Sequence, residues 1–175
     1  MDKKLVSIII RTKNEERWLS ACLRKVFKQT YKNIEVIIVD NESTDNTLLK
    51  AKDFPVKLIT IDEYFPGKAI NDGIRASTGE YLVCLSGHCV PVSDRWLENL
   101  VSDLEQENIA GVYGRQEPLA FTSDLDKRDL LTIFGLDKKI QVKDSFFHNA
   151  NSAFRRDIWG KYPFDEKGTN IEDRV

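Results

Sequence analysis

The sequence holds little that would mark a metal, redox or membrane protein. Among 175 residues there are three cysteines, two histidines and one methionine. The cysteines are odd in number and lack metal-ligand spacing, with Cys22 in an amphipathic stretch, Cys84 inside a strand-like run and Cys89 just past it. That pattern suits a reducing, cytoplasmic setting better than a disulfide framework. No apolar run approaches the roughly 20 residues needed to span a bilayer, since the longest ("LVSIII", "EVIIVD", "YLVCL") are strand-sized. No apolar leader opens the sequence, so the chain as given is expected to be water-soluble. Charge of one sign is also missing: 26 basic against 28 acidic residues leave a formal charge of −2. No global field therefore argues for a nucleic-acid partner. Neither G-x-G-x-x-G nor G-x-x-x-x-G-K-[ST] occurs, which removes the glycine-cradle ways of holding a dinucleotide or a triphosphate.

What is present is an alternation of short apolar runs and helix-period stretches, the pattern of βαβ units around a mostly parallel sheet. Strands are expected at 5–10, 35–40, 56–61, 80–85 and 110–116. Between them, Asn14 is placed to cap a helix burying Leu19, Leu23, Val26 and Phe27, and the region of Asp45 and Thr47 to start one running to Pro55. "PGKAINDGIRAST" reads as a helix ended by Gly79. Ser93 stands as a cap for a helix with Trp96, Leu97, Leu100, Val101 and Leu104 inward. After Gln116 the periodicity weakens into a partly helical excursion.

In open α/β sheets the ligand crevice lies beyond the carboxyl ends of the strands. The candidate segments are therefore "RTKNE", "DNEST", "DEYFPGK" and "SGHCVP". Asp40, closing the second strand, is placed to accept hydrogen bonds from a ligand, or else to cap its own turn.

Three blocks carry a resemblance: "VSIIIRTKNEERWLSACLRKVFKQTYKNIEVIIVDNESTDNT", "GKAINDGIRASTGEYLVCLSGHCVPVSDRWLENL" and "FDEKGTNIEDRV". Their order and the V-D-N-x-S-x-D core resemble an inverting glycosyltransferase of family 2, GT-A type, over Val6 to Leu100 and Asn149 to Asp173, and loosely between. The resemblance implies an α/β, Rossmann-like GT-A domain over 1–175, with 1–115 the nucleotide-binding part and 116–175 the start of an acceptor-side part. It implies a nucleoside diphosphate sugar donor and a glycan or lipid-linked acceptor, with no nucleic acid. Membrane contact would come only through segments absent from this chain, at the inner face of the membrane. Asp40 then reads the donor base, and Thr12 and Glu15 line the base and ribose site, unless they serve only as turn and helix-start residues. Lys13 stands where many family members carry an aromatic residue. Lys68 either faces the diphosphate or is a solvated helix-end lysine.

Family members place an Asp-x-Asp type motif, which holds Mg²⁺ or Mn²⁺, where this chain has Ser86, Gly87 and His88. Both acidic positions are lost. Three readings stay open: His88 ligates a softer divalent ion, His88 meets the diphosphate directly, or the domain binds a sugar nucleotide without turnover. Cys89 reads as a packing residue. At the other end, Asp173 matches the family's general base and Glu172 its neighbour, the alternative being two acids at a helix start. His148 and Asn149 match the acceptor-side floor. The chain stops two residues after Asp173, which reads as truncation.

Overall fold

The computed structural model describes residues 3–143 and 146–168. Six strands form one sheet: β1 (Val6–Thr12), β2 (Ile34–Asp40), β3 (Lys57–Thr60), β4 (Tyr81–Ser86), β5 (Gly111–Tyr113) and β6 (Asn151–Arg155). Their spatial order is β3-β2-β1-β4-β6-β5. The first four are mutually parallel, with Ile8 opposite Val36 on one side and Val83 on the other. β6 runs antiparallel to β4 and β5.

Unbroken apolar strands are what a sheet covered on both faces requires. The period of two sends Ile8, Ile10 and Val83 to one face, where Leu19, Leu23 and Val26 of α1 (Leu19–Phe27) and Leu97 and Leu100 of α4 (Trp96–Ser102) cover them. Ile9, Ile37 and Leu82 go to the other face, under Ile70 and Ile74 of α3 (Pro66–Arg75). Each of these fully buried aliphatic side chains contributes about 1.5–3 kcal/mol. Gly73 is the point of closest approach of α3, since a Cβ there would stand 2.5 Å from Ile9 Cγ2 and 2.9 Å from Val39 Cγ2.

Two expected caps are replaced. Asn14 does not start α1. Its backbone is left-handed, with φ 55°, and its side-chain carbonyl accepts the Thr44 N–H at 2.8 Å, while the helix begins at Leu19. Ser93 does not cap α4 through its side chain. Gln29 does so from a distance, its Oε1 accepting the Leu97 N–H at 2.9 Å and its Nε2 donating to the Ser93 carbonyl at 2.8 Å. The helix over "PGKAINDGIRAST" closes at Arg75, and Gly79 instead lets the chain pass close to β1, where a Cβ would meet Ser7 Oγ at 2.5 Å.

The remaining elements are α2 (Thr47–Ala51), a 3-10 turn (Asp103–Glu105) that continues α4, α5 (Asp124–Phe134) and α6 (Arg156–Lys161). α5 lies within the excursion and is capped by Ser123, whose Oγ accepts the Asp126 N–H. β6 was not expected as a strand. No described helix is long and apolar enough to cross a membrane.

Candidate functional site

Each of the four parallel strands ends on the same edge of the sheet, and the segments that follow them are tied to one another. The V-D-N-x-S-x-D core is what ties them. Asp40 is fully buried; one of its oxygens accepts Thr12 Oγ1–H at 2.9 Å and Ser43 Oγ–H at 2.6 Å, and the other accepts the Ser43 N–H at 2.8 Å. Ser43 Oγ in turn accepts the Asn14 N–H at 2.9 Å. Asp45 accepts the Glu16 N–H at 3.1 Å and the Thr47 N–H at 2.9 Å, and Thr47 Oγ1 accepts the Glu15 N–H at 2.7 Å. Burial pushes the Asp45 carboxyl up, but the donors from Thr47 and Glu16 outweigh it and hold the group below its usual value. The loops after β1 and β2 are thus locked together by polar side chains, their backbone N–H groups satisfied without a ladder.

Over this lock lies a cavity of about 260 Å³, lined by Arg11, Thr12, Lys13, Glu15, Asn41, Tyr64, Ser86 and His88. The cavity crosses four strand ends, from Tyr64 beyond β3 to His88 beyond β4. The Ser86–His88 turn is held close, with the Gly87 N–H donating to the Arg11 carbonyl at 3.1 Å and the Cys89 N–H to the Ser86 carbonyl at 2.9 Å. A side chain at Gly87 would stand 2.9 Å from Thr12 Cγ2 and 3.2 Å from Glu15 Cγ, so glycine is what lets this turn sit on the β1 loop.

His88 Nδ1 lies 2.7 Å from Glu15 Oε1. A carboxylate there accepts a hydrogen bond from Nδ1–H, which fixes the ring and its tautomer and leaves Nε2 to meet a ligand. Cys89 is no nucleophile, because burial pushes its thiol up to about 11 and keeps it protonated near neutral pH.

Thr12, Glu15, Ser86 and His88 are thus brought together as the sequence suggested. Asp40 is not at the surface of the cavity. It lies beneath, all its donors internal, and Asn41, the next residue, lines the cavity in its place. Lys68 is not brought there either, since its ammonium donates to Asp72 at 3.0 Å and that bond holds its pKa above the usual lysine value. Glu172 and Asp173 lie outside the described residues. His148 Nδ1 faces donors from Gln116 Nε2 at 2.9 Å and the Ala150 N–H at 3.3 Å, which puts the ring proton on Nε2. Asn149 is buried, its carbonyl 3.5 Å from an Arg11 guanidinium nitrogen, so the β6 approach is joined to the cavity wall.

Arg11, Asn41 and Tyr64 were missed. They stand in "RTKNE", "DNEST" and "DEYFPGK", segments in which the sequence points to Thr12, Glu15, Asp40 and Lys68.

Residues 7–162 match the family described as Glycosyl transferase family 2. The chain belongs to that family. Among curated relatives, it is 35% identical over 122 residues to the UDP-Glc:alpha-D-GlcNAc-diphosphoundecaprenol beta-1,3-glucosyltransferase WfgD of Escherichia coli, covering 67% of this chain and 47% of that protein. It is 32% identical over 123 residues to a dolichyl N-acetyl-alpha-D-glucosaminyl phosphate 3-beta-D-2,3-diacetamido-2,3-dideoxy-beta-D-glucuronosyltransferase of Methanococcus voltae, covering 62% of this chain and 38% of that one. The chain therefore spans less than half the length of these relatives. Among solved structures, the mannosyltransferase PcManGT of Pyrobaculum calidifontis, in complex with GDP-Man and Mn²⁺, superposes with a TM-score of 0.75 at 22% identity, over 97% of this chain and 49% of that one. S. aureus TarS with UDP-GlcNAc gives 0.68 at 18%, over 97% and 51%. At such identities these two attest the fold, a six-stranded, mostly parallel GT-A sheet.

Among the described residues no three His, Cys, Asp or Glu side chains stand together to hold a metal ion. The pair His88–Glu15 fits an ion that accepts nitrogen, such as Mn²⁺, through Nε2, with a carboxylate behind the ring and ligand oxygens completing the shell. It does not offer the oxygen ligands that Mg²⁺ prefers.

Proposed function

We propose that this family 2 domain binds a nucleoside diphosphate sugar in the cavity and, within a longer protein, transfers the sugar with inversion to a hydroxyl of a glycan or lipid-linked acceptor. The observation that carries the reading is the convergence of Arg11, Thr12, Asn41, Ser86 and His88 on one crevice at the strand carboxyl ends. The cavity is polarised. At the β1 and β4 ends Arg11, Ser86 and His88 suit a diphosphate; toward β2 and β3 the Asn41 amide, both donor and acceptor, suits a base edge. Residues 1–115 form the nucleotide part and 116–175 begin the acceptor-side part.

In the reaction an acceptor oxygen attacks the anomeric carbon from the face opposite the diphosphate. The bond from that carbon to the phosphate oxygen breaks, and Asp173, with Glu172 beside it, takes the acceptor's proton. Arg11 and Ser86 bind the departing diphosphate and offset the charge that builds on it. A divalent ion held at His88 Nε2 would add positive charge at the same place. The reaction belongs on the cytoplasmic side, where nucleotide sugars and the inner membrane face meet.

The test is a panel of UDP-, GDP- and dTDP-sugars read by thermal shift with and without Mn²⁺, since a ligand bound at 100 times its Kd stabilises by about 2.7 kcal/mol. A concentration-dependent rise with one nucleotide class supports the reading. No shift with any member at millimolar concentration overturns it. A donor that binds this chain, yet is not transferred by the longer protein, would leave the rival role of a sugar-nucleotide binding module.

A further inference from the structure

We infer that Tyr64 is the surface on which the donor's nucleobase stacks, a role that rests on the donor reading above and assigns the base to the β3 end of the cavity. Tyr64 lines the cavity together with Lys13 and Asn41, and the only other ring on its wall, the His88 imidazole, is engaged by Glu15.

Three observations set Tyr64 apart from an aromatic residue that merely fills space. It is 46% exposed, although it stands on the wall of a crevice and not on an outer face. It has no hydrogen bond or ring partner among the described residues, whereas Trp18 and Phe121 stack on each other. Finally, it lies two residues before Pro66, which opens α3, and Ile61 ahead of it is buried with its N–H bonded to the Asp40 carbonyl at 2.8 Å. The loop is therefore anchored on both sides of the ring.

The sheet order supplies the length scale. Tyr64 follows β3 and His88 follows β4, and β2 and β1 stand between. Three inter-strand spacings of about 4.8 Å separate the two ends by roughly 14 Å. An elongated ligand with an anionic end and an aromatic end fits that span in one direction only, with the diphosphate at Arg11, Ser86 and His88 and the base at Asn41 and Tyr64. Asn41 meets the edge of the base and Tyr64 meets its face. An edge contact selects among bases, while a face contact accepts any of them.

The test is isothermal titration of the chain with UDP, GDP and inorganic pyrophosphate, for the wild type and for Tyr64→Ala and Tyr64→Phe. Loss of a base–aromatic stack weakens binding roughly 5- to 100-fold. Tyr64→Ala is expected to lose that factor for whichever nucleotide binds and to keep pyrophosphate affinity within twofold, while Tyr64→Phe stays within about threefold of wild type for both. An alanine variant that binds the nucleotide as tightly as wild type overturns the stacking role and leaves the donor reading standing. Equal losses for nucleotide and pyrophosphate also overturn it, since damage would then not be specific to the base. If the wild type binds neither nucleotide, the donor reading fails and the assignment of Tyr64 fails with it.

Discussion

Asp40→Ala separates a carboxylate that touches ligand from one that builds the floor beneath it. In the structure this carboxylate is fully buried and serves three donors, at 2.9, 2.6 and 2.8 Å. A hydrogen bond to a charged group contributes about 1.5–3 kcal/mol, and a donor left without its partner costs about 1–3 kcal/mol. The three are not additive, because two belong to Ser43, which is half-buried and can turn to water, and because removing a buried charge also removes its desolvation cost. The net loss is about 3 kcal/mol, a large part of the 5–15 kcal/mol that a domain has. For a chain of this length that lowers Tm by roughly 6–12 °C. Urea unfolding followed by circular dichroism measures it, with the midpoint falling at an unchanged slope. Nucleotide affinity should fall as well, since Asn41 is held by the turn that Asp40 closes. An alanine variant with the wild-type midpoint and no nucleotide affinity would refute the floor role and return the carboxylate to direct contact.

Glu15→Gln removes the carboxylate behind His88 and should weaken Mn²⁺-dependent donor binding about 10- to 100-fold, while binding in EDTA changes little; an unchanged Mn²⁺ dependence by titration calorimetry would contradict the pairing. Gly87→Ala crowds Thr12 and Glu15 and should cost about 1–3 kcal/mol in urea unfolding, together with a measurable loss of nucleotide affinity. Glu35 is raised by burial but held below its ordinary pKa by the Thr78 and Gly79 N–H groups and the Ser7 and Thr78 hydroxyls, so the contribution is present above about pH 4.3, the ordinary glutamate value, and is lost as pH falls through the lowered native value. Glu35→Gln should therefore flatten the acid limb of stability, and an unchanged limb would exclude this group. In a protein that continues beyond residue 175, Asp173→Asn should abolish transfer and leave donor affinity nearly intact; turnover comparable to wild type would remove Asp173 as the base.

The parallel part of the fold was legible because β1, β2 and β4 are buried on both faces and hence written as continuous aliphatic runs. β6 was not, because "NSAFR" is short and mixed and becomes a strand only by pairing antiparallel to β4 and β5. Helix caps misled for a related reason. Asn14 and Ser93 have the right chemistry at the right spacing, but Asn14 is spent across the loops on Thr44, and α4 receives its cap from Gln29, 68 residues away in sequence. The site was legible as a set of strand-end segments and not as a set of contacts. Within V-D-N-x-S-x-D, sequence cannot say which carboxylate faces inward. Strand alternation is suspended at a strand end, so only the hydrogen bonds of Thr12 and Ser43 reveal that Asp40 turns into the protein, while Asn41 lines the crevice. His88 could be named from its segment, but its partner Glu15 lies 73 residues earlier in the chain.

The central claim is that the donor nucleotide occupies the crevice at the strand carboxyl ends. Chemical-shift mapping of the ¹⁵N-labelled chain during titration with UDP and GDP tests it residue by residue. With the nucleotide bound there, the amides of Arg11, Thr12, Lys13, Glu15, Asn41, Tyr64, Ser86 and His88 are expected to move together with one affinity. A second hollow, lined by Lys4, Glu80, Tyr81, Arg155, Arg156 and Asp157, lies at the opposite end of the strands. Shifts confined to those residues, with the crevice amides unmoved at saturation, would contradict it.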